Sequence, residues 1–327
     1  MIPERHLLNR LRNVRQVKNP KVALGIGDDC AVLRLPPGHE TLVTTDFSLE
    51  GVHFRRDWQS PECIGHRCLA RGLSDIAAMG GIPVAAFLSL AVPTALPQRW
   101  VDRFLSGLLR LARANGVELA GGDTAQSPGG VLADIMVVGT ARHRRALLRA
   151  GAKAGDLIYV TGELGESAAA LRLLRSGKIK KRDVFPKPRI VIGEWLASQR
   201  IATSVIDISD GLSTDLSHIC EESGVGAVVE AEAIPISVNA RKLSQTKRRK
   251  STPCDFSLEL ALHGGEDYEL LFTAPRSKRV PELIAGVKIT HIGEIVREKR
   301  MYLVQDGKRS GLAPQGWEHF QSHRAMK

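Results

Sequence analysis

The chain has 327 residues, of which 43% are hydrophobic and 25% charged, and this composition is typical of a globular protein of about two domains. It excludes a disordered, collagen-like or coiled-coil chain. The formal net charge of +11 indicates an acidic partner, either nucleic acid or small anions such as phosphate esters.

Predicted strands and helices alternate in the first half of the chain, separated by glycine-rich corners. β-branched and apolar runs predict the strands, and apolar residues at helical spacing that end at glycine predict the helices. In chain order, strands are expected at residues 41–45, 84–92 and 131–139, and helices at residues 61–79 and 98–115.

A basic, glycine-punctuated stretch at residues 142–156 is typical of a linker, and a second series of strands and helices follows it. In this half, strands are expected at residues 157–160, 204–208 and 268–273, helices at residues 166–176, 190–198 and 212–223, and a charged loop at residues 246–252. The whole pattern predicts an α+β protein with two α/β domains, at residues 1–145 and 146–327.

Cysteine usage and the hydrophobic pattern of the sequence indicate the cellular compartment of the protein. Five cysteines without a CxxC pair favour free thiols, so we predict a cytoplasmic protein without a disulfide framework or a zinc site. The longest uncharged stretch, residues 76–97, is interrupted by glycines and prolines, which argues against a membrane span. The first residues lack the apolar core of a signal peptide.

Aspartates recur in one local context along the chain. Each motif places Gly, Ser or Thr next to an aspartate and close to an apolar run, as at Gly27-Asp28-Asp29 and at Asp46, Asp75, Asp123 and Asp210. One such aspartate is typical of a turn or a helix cap, but five with the same flanks indicate element ends that converge on one cleft. Carboxylate and hydroxyl oxygens suit Mg²⁺, and the absence of histidine enrichment argues against zinc or iron.

The familiar phosphate-binding motifs are missing from the sequence. The Walker A pattern, GxGxxG and the kinase HRD and DFG motifs are all absent. A phosphate binder of this sequence must therefore use metal ions, glycine-rich backbone N–H groups and single arginines. Several Mg²⁺ ions that bridge aspartates to the phosphates of ATP would offset the charge of both groups.

Eight motifs together resemble the thiamine-monophosphate kinase family. They are GIGDDCAVL, TTDFSLEGVHF, LSDIAAMGG, GGDT, LLRAGAKAGD, DISDGLSTDL, GGEDYELLFT and GWEHF. The resemblance runs from about Arg5 to Phe320 and extends to the superfamily of aminoimidazole ribonucleotide synthetase, selenophosphate synthetase and an ATP-binding hydrogenase maturation protein.

That resemblance implies an architecture and a reaction. Members are homodimers, in which an N-terminal α/β domain pairs across the dimer and holds ATP and Mg²⁺, and a C-terminal α/β domain covers the site. The implied reaction transfers a phosphoryl group from ATP to thiamine phosphate and gives thiamine diphosphate and ADP, the last step of thiamine diphosphate biosynthesis.

Individual residues acquire expected roles from the same resemblance. The metal positions are Asp29, Thr44, Thr45, Asp46, Asp75, Asp123, Asp207 and Asp210. The nucleotide positions are Gly122, Asp123, Arg149 and Ser209, and the thiamine phosphate positions are His53, Glu266 and Trp317. No catalytic residue beyond the metal ligands is expected, because a phosphate monoester with a second pKa of about 6 is already ionised at neutral pH. Asp28 is expected to cap a helix N-terminus or to support the metal ligands without binding the metal itself. Gly72 stands where the family commonly has Asn.

The residues by themselves leave some of these roles open. Trp317 either covers the cationic ring of thiamine or its pyrimidine, or packs as a lid on the core. Glu266 either offsets the cation or hydrogen-bonds the aminopyrimidine, or is a turn residue. His53 is either a substrate residue or a strand-end histidine bonded to backbone. Arg149 binds nucleotide phosphates or is a surface arginine.

Two other functions compete with the kinase. A selenophosphate synthetase-like enzyme would carry a reactive Cys or selenocysteine before GIGDD, and residues 14–24 contain no cysteine. A non-catalytic nucleic-acid-binding protein on this fold would suit the net charge. Its basic clusters, at residues 142–145, 178–182 and 247–250, are however not interleaved with aromatic residues. We therefore expect thiamine monophosphate and ATP as partners, and neither a membrane nor nucleic acid.

Overall fold

The computed structural model describes residues 18–26, 30–246 and 256–318, without the side chains of residues 245 and 246. The expected ligand Asp29, its neighbour Asp28 and residues 247–252 of the predicted charged loop lie outside the described residues.

Fourteen strands and seven α-helices form within these ranges. The strands are β1 (Val22–Leu24), β2 (Val32–Leu33), β3 (His39–Leu49), β4 (Ile82–Val92), β5 (Glu118–Gln126), β6 (Leu132–Arg142), β7 (Asp156–Thr161), β8 (Ser204–Asp207), β9 (Gly226–Glu230), β10 (Leu270–Pro275), β11 (Leu283–Ile284), β12 (Val287–Val296), β13 (Met301–Gln305) and β14 (Lys308–Gly311). The helices are α1 (Pro61–Ala78), α2 (Gln98–Ala114), α3 (Glu166–Arg175), α4 (Ile190–Gln199), α5 (Leu212–Ser223), α6 (Val238–Thr246) and α7 (Phe256–His263).

The chain divides into two compact units, and each is described by itself. The first comprises Met1–Leu147 and Leu173–Arg200, and the second comprises Leu148–Arg172 and Ile201–Lys327. The expected α+β class with two α/β domains is confirmed by these elements. The domain limits at residues 1–145 and 146–327 stay a prediction, and the sequence pattern did not indicate that the stretch with α4 groups with the first unit.

A four-stranded sheet in the order β3-β6-β4-β5 forms the centre of the first unit. β6 runs antiparallel to β3 and β4, whereas β4 and β5 are parallel and are joined through α2. Parallel neighbours need such a crossover, which is usually a helix. α1 packs on β3 and β6, and this packing brings the end of the helix to the middle of β3.

Local sequence explains where α1 begins and ends. Ser60 caps its N-terminus by accepting a hydrogen bond from the backbone N–H of Cys63 at 3.2 Å, and Pro61 occupies the first turn. Proline is favoured there because its missing N–H would have no helical partner. Gly80, with φ at +65°, follows the helix and turns the chain toward β4.

Close contacts at glycine join the helices of the first unit. A Cβ at Gly65 of α1 would lie 2.0 Å from the carbonyl oxygen of Phe104, and a Cβ at Gly107 of α2 would lie 2.0 Å from that of Glu62. α4 meets α1 in the same way, because a Cβ at Gly193 would lie 1.9 Å from the carbonyl oxygen of Ala77. These three glycines let the helix backbones touch.

The second unit is built on an eight-stranded sheet. Its order is β14-β13-β9-β12-β7-β10-β8, with β11 paired to β12, and only the β9–β13 pair among these described strands is parallel. α5 packs its apolar side chains into the core beside β7 and β10, where Ile158, Leu216 and Ile219 are fully buried. β8 ends at Asp207, and α5 begins five residues later.

The predicted helices and strands of both halves are confirmed within a few residues, and several further elements appear. Strands β1, β2, β5, β9 and β11 to β14 and helices α6 and α7 were not among the expected elements. β12 contains Lys, His, Gly and Glu among its apolar residues, so its pattern lacked a continuous strand signal. No helix in the described ranges has both the length and the apolar character needed to cross a membrane.

We predict that Gly107→Ala destabilises the protein by about 1–3 kcal/mol, because the added methyl group would overlap the backbone of α1. Alanine is intrinsically the better helix residue by about 1 kcal/mol, so a loss of stability would show that the contact outweighs propensity. Chemical denaturation measures the free energy of unfolding. Gly129→Ala is the control, since no atom lies within 4 Å of its added Cβ. Equal stability of the two variants would contradict the prediction.

Candidate functional site

Oxygen ligands from two sequence motifs meet in the first unit. Thr44 and Asp46 are two residues apart on β3 and therefore lie on the same face of the strand. Thr44 Oγ1 donates a hydrogen bond to Asp75 Oδ2 of α1, and the carboxyl groups of Asp46 and Asp75 are also hydrogen-bonded to each other. Three of the expected metal positions are thus brought together.

The proximity of these carboxyl groups changes the acidity of one of them. Burial, and after it the negative charge of Asp75, raise the pKa of Asp46 from 3.8 to about 7, while Arg71 opposes the shift. The group therefore holds a proton near neutral pH unless a cation takes its place. The atoms of Thr44, Asp46 and Asp75 that could bind a metal ion are all hydroxyl or carboxylate oxygens, which suit Mg²⁺ and not zinc.

Thr45 lies on the other face of β3. Its hydroxyl donates to Asp134 Oδ1 of β6 at 2.7 Å. The negative charge of Asp134 also helps to raise the pKa of Asp46, so Asp134 acts electrostatically on the Asp46–Asp75 pair. The sequence did not indicate Asp134, because it lies inside a strand without a Gly, Ser or Thr beside it.

Asp123 and Gly122 lie on β5, and two strands separate them from β3. At about 4.8 Å a strand, the backbones are about 14 Å apart along the sheet. The exposed carboxylate of Asp123 accepts the N–H of Thr124 at 2.8 Å. Gly122 has φ at +144°, and a Cβ there would lie 1.9 Å from the carbonyl oxygen of Leu88, so only glycine fits this strand. Asp123 therefore does not adjoin the Asp46–Asp75 pair within the sheet.

His53 follows β3 and is bonded to its backbone. The N–H of Leu49 donates to His53 Nδ1 at 3.0 Å, and the N–H of His53 donates to the carbonyl oxygen of Leu49 at 2.9 Å. This is the strand-end arrangement that the sequence left open as the alternative to a substrate role. A role of His53 at thiamine phosphate stays a prediction.

A loop of the second unit, residues 209–211, is organised by one buried carboxylate. Asp215 Oδ2 accepts the backbone N–H groups of Ser209, Asp210 and Gly211 at 3.1, 3.1 and 3.0 Å. Burial raises the pKa of Asp215 well above its ordinary value, and the charges of Asp207 and Asp210 add to the shift. Asp210, Asp215 and His218 also offer ligand atoms within 4.8 Å of one another. Asp215 was not singled out in the sequence.

Two further segments pack against this loop. The N–H of Glu266 donates to the carbonyl oxygen of Ser209 at 2.8 Å, and the N–H of Trp317 donates to that of Asp210 at 3.1 Å. Glycine precedes each of the two donors, because a Cβ at Gly265 would lie 2.4 Å from the oxygen of Ser209 and a Cβ at Gly316 would lie 2.2 Å from that of Asp210. The fold thus brings together four of the expected site residues.

Arg149 lies elsewhere in the second unit. Its carbonyl oxygen accepts a hydrogen bond from Ser223 Oγ at 3.4 Å, and its side chain is exposed. Ser223 ends α5, about 16 Å along the helix from Leu212, which follows the loop with Ser209. The structure therefore does not bring the backbone of Arg149 to Ser209, and its nucleotide role stays a prediction.

Comparison with known proteins decides the family. The family described as AIR synthase related protein matches residues 27–141 with its N-terminal domain and residues 153–306 with its C-terminal domain. A curated thiamine-monophosphate kinase of Escherichia coli O157:H7 is 37% identical over 314 residues, which cover 91% of this chain and 92% of the relative. The chain belongs to the thiamine-monophosphate kinase family.

Solved structures agree with this family membership. The thiamine-monophosphate kinase of Stenotrophomonas maltophilia K279a has a TM-score of 0.78 and 32% identity, over 93% of this chain and 96% of that one. AaThiL complexed with AMPPCP and TMP has a TM-score of 0.76 and 30% identity, over 96% of this chain and 95% of that one. The resemblance to the thiamine-monophosphate kinase family that the sequence motifs indicated is confirmed.

The departure from the family at Gly72 has a local explanation. A Cβ at Gly72 would lie 2.6 Å from Val137 Cγ2 and 3.6 Å from Thr44 Cγ2. α1 therefore lies close against the sheet beside the metal positions, and Val137 fills the space that a side chain at residue 72 would need.

We predict that, without divalent cations, the contribution of Asp46 to the stability of the protein falls as the pH rises from about 4 to about 7. The folded state holds the proton on Asp46 more tightly than the unfolded state, so this stability is complete below the ordinary pKa of 3.8 and is lost as the pH rises through about 7. Asp46→Asn should reduce the slope. Thermal unfolding in EDTA across this range measures it.

The matched control is Asp123→Asn, which changes an exposed carboxylate on β5 and should keep the wild-type slope. A wild-type slope in Asp46→Asn would show that the paired carboxyl groups do not titrate as expected.

Proposed function

We propose that the protein catalyses the ATP-dependent phosphorylation of thiamine monophosphate to thiamine diphosphate, the last step of thiamine diphosphate biosynthesis. One observation carries the proposal most directly. The backbone contacts of the loop at residues 209–211 hold Ser209, Asp210, Glu266 and Trp317 together, and these residues match positions that the family uses for nucleotide, metal and thiamine phosphate. AaThiL, which is similar over nearly the whole chain, has been solved with AMPPCP and TMP.

The cation that we propose for the first unit is Mg²⁺. Thr44, Asp46 and Asp75 would hold it, since they offer only oxygen ligands, and burial together with the charge of Asp75 raises the pKa of Asp46. Asp29, Thr45, Asp123, Asp207 and Asp210 are the further proposed ligands of several ions. When bound, Mg²⁺ supplies positive charge that offsets the phosphates of ATP.

In the second unit, the residues proposed for thiamine phosphate have suitable chemistry. Trp317 is 38% exposed, so its indole is available to cover a cationic ring. Glu266 carries a carboxylate that would offset the charge of that ring, and its backbone is fixed by Ser209 and by Ser167 Oγ, which donates to its carbonyl oxygen at 2.7 Å.

Transfer is proposed to be direct and in line, without a phosphoenzyme. The acceptor oxygen is already ionised at neutral pH, so the residues of the chain must position two anions and no general base is needed. Burial raises the pKa of Cys63, Cys68 and Cys220 to about 12, which keeps these thiols protonated and unreactive. Burial also lowers the pKa of His66 and His263.

A homodimer is proposed through the sheet of the first unit. Val43 and Phe47 of β3 are 62% and 56% exposed, and Met136 of β6 on the same face is 39% exposed. Large apolar side chains in one exposed patch mark an interaction surface, and a second copy of the chain would cover it. Sedimentation equilibrium should give the mass of two chains, and the mass of one chain would contradict the proposal.

The decisive assay compares possible acceptors side by side. ADP formation is measured with ATP and Mg²⁺ in the presence of thiamine phosphate, thiamine, selenide or formylglycinamidine ribonucleotide. Only thiamine phosphate should support turnover, and EDTA should abolish it. ADP formation with selenide and not with thiamine phosphate would assign the chain to another branch of the superfamily. Full activity in excess EDTA would refute the role of Mg²⁺.

We predict that Trp317→Ala raises the KM for thiamine phosphate several-fold and leaves the KM for ATP and the melting temperature nearly unchanged. The reason is the loss of a cation–π contact worth ~0.5–2 kcal/mol, without the loss of core packing. Steady-state kinetics and thermal unfolding measure both quantities.

Trp100→Ala is the matched control. Trp100 stacks on the fully buried Phe104 at 5.6 Å between ring centroids, so its loss should lower the melting temperature and leave the KM values unchanged. If Trp317→Ala behaved like this control, Trp317 would be a core residue and its assignment to the substrate would fall.

A further inference from the structure

Residues 315–317, which we call the strap, run along the first turn of α5. Three successive backbone N–H groups of the strap donate hydrogen bonds to this region. They are Gln315 N to Ser213 Oγ at 3.3 Å, Gly316 N to Thr214 Oγ1 at 2.9 Å and Trp317 N to the carbonyl oxygen of Asp210 at 3.1 Å. Two of the three acceptors are side-chain hydroxyl groups.

Ser213 has its hydrogen-bonding geometry fixed from both sides. It is fully buried, and its Oγ also lies 2.8 Å from His263 Nδ1. Ser213 Oγ accepts the N–H of Gln315, and its bond to His263 Nδ1 is donated by the serine or by the histidine according to the tautomer of the ring. The hydroxyl therefore links the strap to the end of α7.

Gly316 leaves the strap little freedom to shift. A Cβ at this position would lie 2.2 Å from the carbonyl oxygen of Asp210 and 2.6 Å from Thr214 Oγ1. The backbone of the strap is thus in direct contact with α5, and the hydroxyl of Thr214 lies at the point of contact.

The strap ends at Trp317, whose side chain is not buried as Ser213 is. Trp317 is 38% exposed, so burial in the core cannot by itself fix the place of its indole. The hydrogen bonds of the strap fix the backbone from which the indole projects.

We propose that Ser213 and Thr214 are positioning residues, whose hydroxyl groups hold the strap so that Trp317 meets the cationic ring of thiamine phosphate. The inference rests on the proposed function and deepens it, because it assigns the geometry of substrate recognition to two residues that need not touch the substrate. Neither is among the residues expected from the sequence motifs to bind metal, nucleotide or thiamine phosphate.

Thr214→Val tests the proposal because valine keeps the shape of threonine and lacks the hydroxyl. We expect the KM for thiamine phosphate to rise about threefold to tenfold, as for the loss of one hydrogen bond, with kcat and the KM for ATP within about twofold of wild type. Thr214→Ser restores a hydroxyl and should restore the KM. Ser213→Ala should act in the same direction as Thr214→Val and serves as the second variant if that protein folds poorly.

Ser217→Ala is the matched control on the same helix. The Ser217 hydroxyl donates to the carbonyl oxygen of Thr214 at 2.7 Å and does not bond the strap, so its removal should leave the KM for thiamine phosphate unchanged.

A double variant separates positioning from a general loss of structure. If Thr214 acts through Trp317, adding Thr214→Val to Trp317→Ala should change the KM for thiamine phosphate no further. Additive increases, or a wild-type KM in Thr214→Val, would overturn the proposal. A wild-type protein that forms no ADP with thiamine phosphate would instead refute the proposed function, so the two failures are distinguishable.

Discussion

The close packing of carboxylate groups is the constraint on which the candidate site residues of each unit depend. Like charges in partly buried surroundings raise each other's pKa, and the fold must supply a proton, hydrogen-bond donors or a cation to keep them together. In the first unit the pair is Asp46 and Asp75, where Arg71 and the hydroxyl of Thr44 give partial relief. In the second unit three backbone N–H groups converge on Asp215 instead. Both arrangements retain negative charge that an added cation would offset.

Two residues that contact the loop around Asp215 have strained backbone conformations. Glu266 and Tyr268 have φ at +64° and +53°, a conformation that costs non-glycine residues about 1–2 kcal/mol each. Hydrogen bonds of their N–H groups to the carbonyl oxygens of Ser209 and Ile208 hold the two residues in place. Glu266, the residue proposed to meet the substrate, is thus one of the strained positions, and the surrounding bonds offset its strain.

Local sequence was sufficient for the elements whose patterns are strong. α1, α2 and α5 begin at the predicted residues, because capping, proline or glycine signals and helical spacing coincide there. β12 was missed because polar residues interrupt its pattern, and the grouping of α4 with the first unit was missed because no local signal says which surface a helix will cover. Asp134 and Asp215 were missed for a similar reason. Asp134 meets Thr45, which is distant in sequence, and Asp215 accepts backbone N–H groups that no sequence pattern marks. Only the fold shows these contacts.

The contact between Gly193 and Ala77 has a consequence for the order in which the chain is made. On the ribosome, α1 emerges long before α4, and β7 of the second unit is synthesised between them. Domains usually fold as units during synthesis, with the N-terminal one first. Here the first unit cannot complete its helical layer until residue 200 has been added. β7 is therefore synthesised, without its partners β10 and β12, while the surface of α1 that α4 covers is still open to water.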